Sequence, residues 1–125
     1  MDTHYDIVRR SSVASTQDVA LSRFRDSGIA TLVVADRQLA GRGRADREWV
    51  EPTAGMFSSF AFRPSWEQGD FGIIPLCAGV ALLRAIGGGS VDLKWPNDIL
   101  IDGRKVGGIL VEGSDGVVVV GCGLN

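Results

Sequence analysis

The stretch QLAGRGRADREW, residues 38–49, carries side chains whose chemistry suits an anion. Four arginines fall within or beside it: Arg37, Arg42, Arg44 and Arg47. The arginine guanidinium presents a planar fork of donors that matches carboxylate and phosphate oxygens. Gly41 and Gly43 leave space for a ligand to approach the backbone, and Trp49 offers a ring that can cover an aromatic group or a guanidinium. These residues favour two interpretations, an anion-binding loop and a solvated surface loop, and leave both open.

A second candidate group lies in KVGGILVE, residues 105–112, directly after the tight turn expected at Asp102-Gly103. Because side chains alternate along a strand, one face is predicted to carry Lys105, Gly107, Ile109 and Val111. Adjacent glycines inside a strand often mark the close approach of a ligand or of another backbone. Lys105 is therefore a candidate ligand-binding cation, and an ordinary surface lysine at a hairpin end is the alternative.

Other polar residues in the chain also have structural interpretations. Ser15 or Thr16 can cap the helix predicted to follow, and Asn97 and Asp98 can form an Asx turn. The single histidine, His4, lies near the N-terminus, so no Ser/His/Asp or Cys/His triad can be assembled. The glycine patterns of Rossmann and Walker phosphate sites do not occur. The residues thus offer no protein nucleophile of a familiar type.

Composition and charge bound the class of protein. With 125 residues, 45% of them hydrophobic and 22% charged, the chain has the length and balance of one globular domain. A net charge of −2 gives no overall attraction to nucleic acid. Cys77 and Cys122 lie in apolar runs and predict buried thiols in a reducing compartment. The N-terminus lacks a signal-peptide core, and the run from Phe71 to Leu83 is too short to span a bilayer. We therefore expect a cytoplasmic protein without a membrane partner.

The elements that position these side chains follow from hydrophobic periodicity. Apolar alternation and β-branched runs predict strands at residues 5–14, 29–36, 55–64, 91–101, 105–112 and 117–123. A first helix is predicted at residues 15–28 and ends at Gly28. A second helix is predicted at residues 71–89; it is apolar on nearly every side and should be buried. These elements predict an α+β fold, a mixed, largely antiparallel sheet with the helices packed on one face.

Taken together, the motifs resemble one enzyme family. ST before a helix, QxAGRGRxxRxW in a loop, and KWPNDI…KVGGILVE followed by GCGLN occur in this order in biotin–protein ligases, and the similarity runs from Ser12 to Asn125. Each motif alone is weak, whereas the combination is specific. The resemblance implies the class II synthetase-like fold of the biotin–lipoyl ligase catalytic domain. Residues 1–125 are expected to form part of the catalytic domain of a biotin–[acetyl-CoA-carboxylase] ligase, truncated at its C-terminus, with neither an N-terminal DNA-binding domain nor a C-terminal β domain.

The same resemblance implies a two-step reaction. The carboxylate of biotin attacks the α-phosphate of ATP, which gives biotinyl-5′-AMP and pyrophosphate. A lysine of the biotin carboxyl carrier protein then attacks the mixed anhydride and becomes biotinylated. The first step brings two anions together, so fixed cations and Mg²⁺ would lower its barrier electrostatically. Biotin, ATP and the carrier protein are the partners expected on this basis.

The site residues implied by the resemblance fall into three groups. Biotin would be bound by Ser15, Thr16, Gln17, Gln38, Arg42, Gly43, Arg44, Lys105, Gly107 and Gly108. The nucleotide would be bound by Arg42, Arg44, Arg47, Trp49 and Asn97. Catalysis would depend on Lys105, which stabilises charge on the acyl phosphate, and on Arg44, which retains the reactive intermediate. Asn97 and Asp98 would support the site near the metal, for which no ligands are assigned.

Two positions depart from the family pattern. Gln17 stands where the family usually has asparagine, so the biotin pocket must accommodate one additional methylene. Asp46 stands where the family has the second glycine of GRGRxGR, which adds a negative charge beside Arg44 and Arg47 and is expected to reduce phosphate affinity. We also expect residues 37–53 to be mobile without ligand and to become ordered on binding, because this segment combines glycines with like charges.

Other interpretations stand beside the ligase. The chain could be a non-catalytic module that binds biotin or biotinyl-AMP, or a relative of lipoate ligases and octanoyltransferases, which share the fold. A nucleic-acid-binding role for GRGR is disfavoured because aromatic side chains are not interleaved with the basic ones. Family members often pair through their sheets, and an unpaired valine-rich edge at residues 117–120 would also favour a homodimer.

Overall fold

The computed structural model describes residues 4–49, 55–66 and 68–125. The strands are β1 (Tyr5–Val13), β2 (Ala30–Gln38), β3 (Gly41–Arg42), β4 (Glu48–Trp49), β5 (Met56–Phe62), β6 (Val91–Lys94), β7 (Asp98–Ile101), β8 (Arg104–Ser114) and β9 (Val117–Leu124). The helices are α1 (Thr16–Ser27) and α2 (Ile74–Ile86), and short 3₁₀ segments lie at Arg44–Asp46 and Gln68–Ile73. Both predicted helices and most predicted strands are therefore present.

Among the described residues, seven strands form one sheet in the order β1-β2-β5-β9-β8-β7-β6. β1 and β2 run parallel, and the other neighbouring pairs in this sheet are antiparallel. The α+β class and the mixed, largely antiparallel sheet are thereby confirmed. The expectation of an unpaired edge at residues 117–120 is wrong, because β9 lies between β5 and β8 and pairs with both.

Helix α1 packs on one face of the sheet and covers the main core. Its buried residues Ala20 and Phe24 cluster with strand side chains that come from β2, β5 and β9: Val33, Ala61, Val117 and Val119. Gly28 ends the helix in the left-handed conformation, with a φ of 71°, and its N–H donates to the Phe24 carbonyl at 2.7 Å. The Ser15 side chain forms no capping hydrogen bond with the N-terminal turn of α1.

Helix α2 lies on the opposite face of the same sheet. Gly79 faces the Ile109 side chain, since a Cβ at position 79 would lie 3.5 Å from Ile109 Cδ1. Ile109 and Leu110 point to opposite faces of β8, and Leu110 pairs with Gly121, which faces α1. The expectation that both helices share one face is therefore wrong, because the successive residues Ile109 and Leu110 of β8 face different helices.

The outer side of α2 remains apolar and exposed. Leu76 is 38% exposed, Val80 is 43% exposed, and the Cys77 thiol is exposed as well. The buried positions of the helix are Ile74 and Gly79. The predictions of a helix buried on all sides and of a buried Cys77 are therefore wrong. Within the described part of the chain, neither helix has the length and apolar character needed to cross a membrane.

Residues 91–101 form a hairpin instead of the single predicted strand. β6 and β7 pair antiparallel, with Lys94 opposite Asp98, and residues 95–97 form the turn between them. Pro96 suits this turn because its ring restricts φ and it has no N–H to donate to a sheet. The reversal brings Asn97 and Asp98 to the end of β7 that adjoins the middle of β8.

Candidate active site

A cavity of about 250 Å³ opens between the first turn of α1, the segment after β2, and strands β5, β7, β8 and β9. Most residues assigned through the family resemblance line it: Ser15, Thr16, Gln17, Gln38, Arg42, Gly43, Arg44, Arg47, Asn97, Asp98, Lys105 and Gly108. The fold thus brings together three segments that are far apart in the sequence.

Other residues of the cavity wall were not assigned from the sequence. They include Ser58, Ser59, Leu110, Gly121, Cys122 and Gly123. A signal for some of them was present, because two serines interrupt the apolar strand MFSSFAF and two glycines interrupt VVVVGCG. Ser59 is only 1% exposed, and a buried hydroxyl needs a hydrogen-bond partner. Polar residues at inward positions of a strand therefore marked the site.

Thr16, Gln38 and Ser59 form a hydrogen-bonded polar floor in the cavity. Gln38 Oε1 accepts from the Thr16 backbone N–H at 2.8 Å and from Thr16 Oγ1 at 3.0 Å. Thr16 Oγ1 also lies 2.8 Å from Ser59 Oγ. Because Thr16 occupies the amide oxygen of Gln38, the N–H groups of this amide are turned to the other side. The floor is therefore held in one arrangement before a ligand binds.

Gly121 provides the room that the longer side chain of Gln17 requires. A Cβ at position 121 would lie 2.6 Å from Gln17 Oε1, closer than non-bonded atoms approach. Gln17 is 6% exposed and lies directly over this glycine. The additional methylene, relative to asparagine, is thus accommodated against the backbone of β9.

Arg42 is bound by two carboxylates. It forms a bidentate pair with Asp18, at 2.9 and 3.1 Å, and a further hydrogen bond with Glu112 at 3.0 Å. The hydrogen bonds that Arg42 donates to Asp18 and then to Glu112 raise the pKa of its guanidinium. Arg42 therefore connects the start of the basic segment, residues 38–49, to α1 and to β8, and the charge of Arg42 is largely offset by Asp18 and Glu112.

Arg44 and Lys105 both line the cavity. Arg44 is exposed, and its Nη1 donates to Asn97 Oδ1 at 3.3 Å. Asn97 is in turn fixed by a hydrogen bond from its Nδ2 to the Ile109 carbonyl at 2.9 Å. Lys105 Nζ lies 3.1 Å from Asp98 Oδ1. The two cations predicted to be catalytic are thus held beside the same β7–β8 hairpin.

A β-bulge changes the predicted orientation of Lys105. Leu100 pairs with Lys105 whereas Ile99 pairs with Gly107, so the pairing skips Val106. The extra residue reverses the alternation of side chains, and Lys105 and Gly107 face opposite sides of the sheet. Lys105 shares the cavity side with Gly108, and the prediction that Lys105 and Gly107 share a face is wrong.

Gly107 packs against the strand and does not line the cavity. A Cβ here would lie 2.6 Å from Leu124 Cδ2 and 2.7 Å from the Gly123 carbonyl oxygen. The side of Gly107 that a side chain would occupy is filled by the C-terminal end of β9, and the biotin contact expected of this residue stays a prediction.

Gly107→Ala is expected to lower the free energy of unfolding by about 1–3 kcal/mol, the usual cost of overpacking, because a backbone oxygen cannot move aside freely. Gly113→Ala is the matched control in the same strand, since a Cβ there would lie 4.0 Å from the nearest atom, the Val117 carbonyl oxygen. Urea unfolding of both variants measures the difference. Equal midpoints would contradict the close packing at position 107.

The basic segment has more regular structure than a loop. β3 pairs with β4, with Gly41 opposite Trp49, and the Gly43 N–H donates to the Arg47 carbonyl at 2.6 Å. The left-handed backbone conformation falls on Ala45, with a φ of 55°, and not on Asp46. The side chain of Trp49 and residues 50–53 lie outside the described residues, so the mobility and the nucleotide contact expected there stay predictions.

The two cysteines are expected to differ in reactivity. Burial raises the pKa of the Cys122 thiol to about 11, whereas Cys77 is exposed. At pH 8 only about one Cys122 side chain in a thousand would carry the reactive thiolate. Alkylation with iodoacetamide should therefore show one fast site, which Cys77→Ala removes and Cys122→Ala does not. Rapid alkylation of both thiols in the folded protein would contradict the burial of Cys122.

The polar floor lies on the α1 side of a mixed sheet, and Arg44 and Lys105 line the same cavity. Residues 10–125 match the Biotin/lipoate A/B protein ligase family, and the chain belongs to this family.

Individual relatives support the same assignment. The bifunctional ligase/repressor BirA of Bacillus spizizenii is 38% identical over 129 residues, which cover 95% of this chain and 40% of BirA. The structure of the Leishmania major biotin protein ligase in complex with biotinyl-5-AMP matches with a TM-score of 0.83 and 29% identity, over 100% of this chain and 58% of the ligase. The Aquifex aeolicus biotin protein ligase in complex with biotin and ATP matches with a TM-score of 0.79 and 34% identity, over 96% and 52%. This chain spans about half the length of these relatives.

Proposed function

We propose that this chain activates biotin with ATP to form biotinyl-5′-AMP, as a biotin–protein ligase, and transfers biotin to a lysine of a biotin carboxyl carrier protein. The supporting observation is one cavity in which a polar floor meets two cationic side chains. Thr16, Gln38 and Ser59 form the floor, and Arg44 and Lys105 are the cations. A ureido ring, which both donates and accepts hydrogen bonds, suits the floor, and a carboxylate beside a phosphate suits the cations.

In the first step, a carboxylate oxygen of biotin bonds to the α-phosphorus of ATP. The bond from that phosphorus to the bridging oxygen breaks, and pyrophosphate leaves with the electron pair. Both reactants are anionic, so Lys105 and Arg44 lower the barrier by offsetting charge in the transition state. Binding both reactants in one cavity adds a contribution from proximity. Gln38 and Gln17 would orient the ring end of biotin.

Mg²⁺ would enter the site with ATP and neutralise phosphate charge. Among residues 4–49, 55–66 and 68–125, no group of three or more His, Cys, Asp or Glu side chains is placed to hold a metal ion. Mg²⁺ usually keeps several waters and is held by substrate phosphates with one or two carboxylates. Asp98 and Asn97, which line the cavity beside Lys105, would supply the protein oxygen ligands.

In the second step, the neutral amine of the acceptor lysine bonds to the acyl carbon of biotinyl-5′-AMP, AMP leaves, and the amine loses a proton. Arg44 lines the cavity and is exposed to solvent. The acceptor lysine of the carrier protein would enter there. Arg44 would retain the adenylate until that lysine arrives.

Two alternatives follow from specific observations. Because the chain spans about half the length of its relatives, it could bind biotin without turnover. The family also includes lipoate ligases, whose ligand would meet the same cavity. Calorimetric titration with biotin, lipoate and octanoate separates these ligands, and we expect heat of binding with biotin alone. Binding of lipoate or octanoate in preference to biotin would contradict the proposal.

A further inference from the structure

Glu112 lies outside the residues assigned to the site but contacts two of them. Its Oε1 atom accepts a hydrogen bond from Gln17 Nε2 at 2.9 Å and another from Arg42 Nη2 at 3.0 Å. Gln17 reaches the cavity from α1, and Arg42 reaches it from the segment after β2. One carboxylate oxygen on β8 therefore joins two walls of the cavity.

We propose that Glu112 is a positioning residue for biotin, because its carboxylate fixes the amide of Gln17 and anchors Arg42 in the same place. The inference rests on the proposed function, since it concerns the same cavity. Glu112 acts through Gln17 and Arg42 and not by touching the reacting atoms.

The amide of Gln17 has one favourable orientation. Its Nε2 lies among three acceptors, Glu112 Oε1 at 2.9 Å and the carbonyl oxygens of Leu110 and Val119 at 3.5 Å each. Exchanging the nitrogen and the oxygen would set an acceptor against three acceptors, one of them charged. Gln17 Oε1 therefore lies over Gly121, and within the described residues it is the buried side-chain polar atom that has no hydrogen-bond partner.

The orientation of the Gln17 amide determines which hydrogen-bonding group a ligand must present to it. A buried acceptor without a partner is costly. Gln17 and Gly121 both line the cavity, so a ligand N–H group that packs against Gly121 would satisfy the Gln17 oxygen. The ureido ring of biotin carries two N–H donors, whereas the dithiolane ring of lipoate and the alkyl end of octanoate carry none. By holding the Gln17 amide, Glu112 thereby favours biotin over the other ligands of the family.

Through its contact with Arg42, Glu112 also positions the basic segment. Asp18 also binds Arg42, so the guanidinium keeps its attachment to α1 when Glu112 is removed. Only the connection to β8 is then lost. The side chain is 42% exposed at Glu112 and 35% exposed at Arg42, so this ion pair is partly screened by solvent. The part-buried hydrogen bond to Gln17, a residue that is 6% exposed, should therefore contribute more.

The test is biotin binding to the full chain, measured by isothermal titration calorimetry for Glu112→Ala, Gln17→Met and the double variant. Glu112→Ala is expected to weaken biotin affinity about tenfold, the lower end of the effect of a hydrogen bond to a charged group. The double variant should bind no more weakly than Gln17→Met, because the two residues act as one unit. Glu112→Gln retains an acceptor oxygen and should restore affinity to within about threefold of the unsubstituted chain.

Asp115→Asn, on the same β8–β9 hairpin, is the control for loss of a negative charge and should leave biotin affinity unchanged. Additive losses in the double variant, or a Glu112→Gln variant as weak as Glu112→Ala, would overturn the role of Glu112 and leave the proposed function intact. If the Gln17→Met variant binds biotin too weakly to measure, the difference in biotin affinity between Glu112→Gln and Glu112→Ala tests the role of Glu112 by itself. Absence of biotin binding by the unsubstituted chain would refute the proposed function and this inference together.

Discussion

Replacing Lys105 with alanine is expected to slow biotinyl-5′-AMP formation by a factor of about 10² to 10³, the usual loss when one group that stabilises developing charge is removed. Lys105 lines the cavity, and Asp98 Oδ1 holds its Nζ at 3.1 Å. Because this cation acts where charge develops, the rate of the chemical step should fall far more than the affinity for biotin. Single-turnover formation of biotinyl-5′-AMP, with the protein in excess over ATP, measures that rate.

Lys94→Ala is the matched control for this experiment. Lys94 is exposed on β6, pairs through its backbone with Asp98, and does not line the cavity. Its removal should leave the single-turnover rate unchanged. Equal rates for Lys105→Ala and the unsubstituted chain would refute the electrostatic role of Lys105, and equal losses in both variants would show an effect of overall charge.

Arg44→Ala is expected to release biotinyl-5′-AMP about 10 to 100 times faster, since hydrogen bonds to charged groups typically contribute about 1.5–3 kcal/mol. Arg44 lines the cavity and is exposed, and its contact with Asn97 Oδ1 is long, at 3.3 Å. A phosphate oxygen would form a shorter, charge-assisted bond with the same guanidinium. Dissociation of labelled biotinyl-5′-AMP, chased with unlabelled compound, measures the release rate.

Arg104→Ala controls for the loss of a positive charge near the site. Arg104 is exposed at the start of β8, next to Lys105 in the sequence, and does not line the cavity. The release rate of this variant should match that of the unsubstituted chain. A release rate unchanged in Arg44→Ala would show that other groups retain the intermediate.

Much of the site could be predicted because its residues occur in short contiguous motifs. Ser15, Thr16 and Gln17 begin a helix whose end is marked by Gly28, and the basic segment follows a strand identified by its β-branched run. The structure places these residues around one cavity, although their roles remain predictions. Local sequence patterns therefore predict those parts of the site whose residues are neighbours in the sequence.

Features that depend on contacts between distant strands could not be predicted from local sequence patterns. A single bulge at Val106 reverses which side Lys105 faces, and only the pairing with Ile99 and Leu100 reveals it. The central position of β9 likewise depends on β5 and β8, which a valine-rich run cannot specify. Alternation along a strand predicts faces correctly only as long as the register is continuous.

The partners of a charged residue were the hardest feature to predict. The motif GRGR predicts an anionic ligand for Arg42, whereas the structure pairs Arg42 with Asp18 and with Glu112, which lies 70 residues away in the sequence. Glu112 itself carries no local signal beyond its position in KVGGILVE. Whether a cation is available to a ligand depends on which carboxylates the fold brings to it.

Pyrophosphate release that requires both biotin and Mg·ATP is the most direct test of the proposed function. We predict release by the 125-residue chain, with the large loss in Lys105→Ala derived above and no loss in Lys94→Ala. Such a result would show that the cavity contains a working adenylation site. Absence of release from protein that is folded and binds biotin would contradict the proposal and identify the chain as a ligand-binding module without adenylating activity.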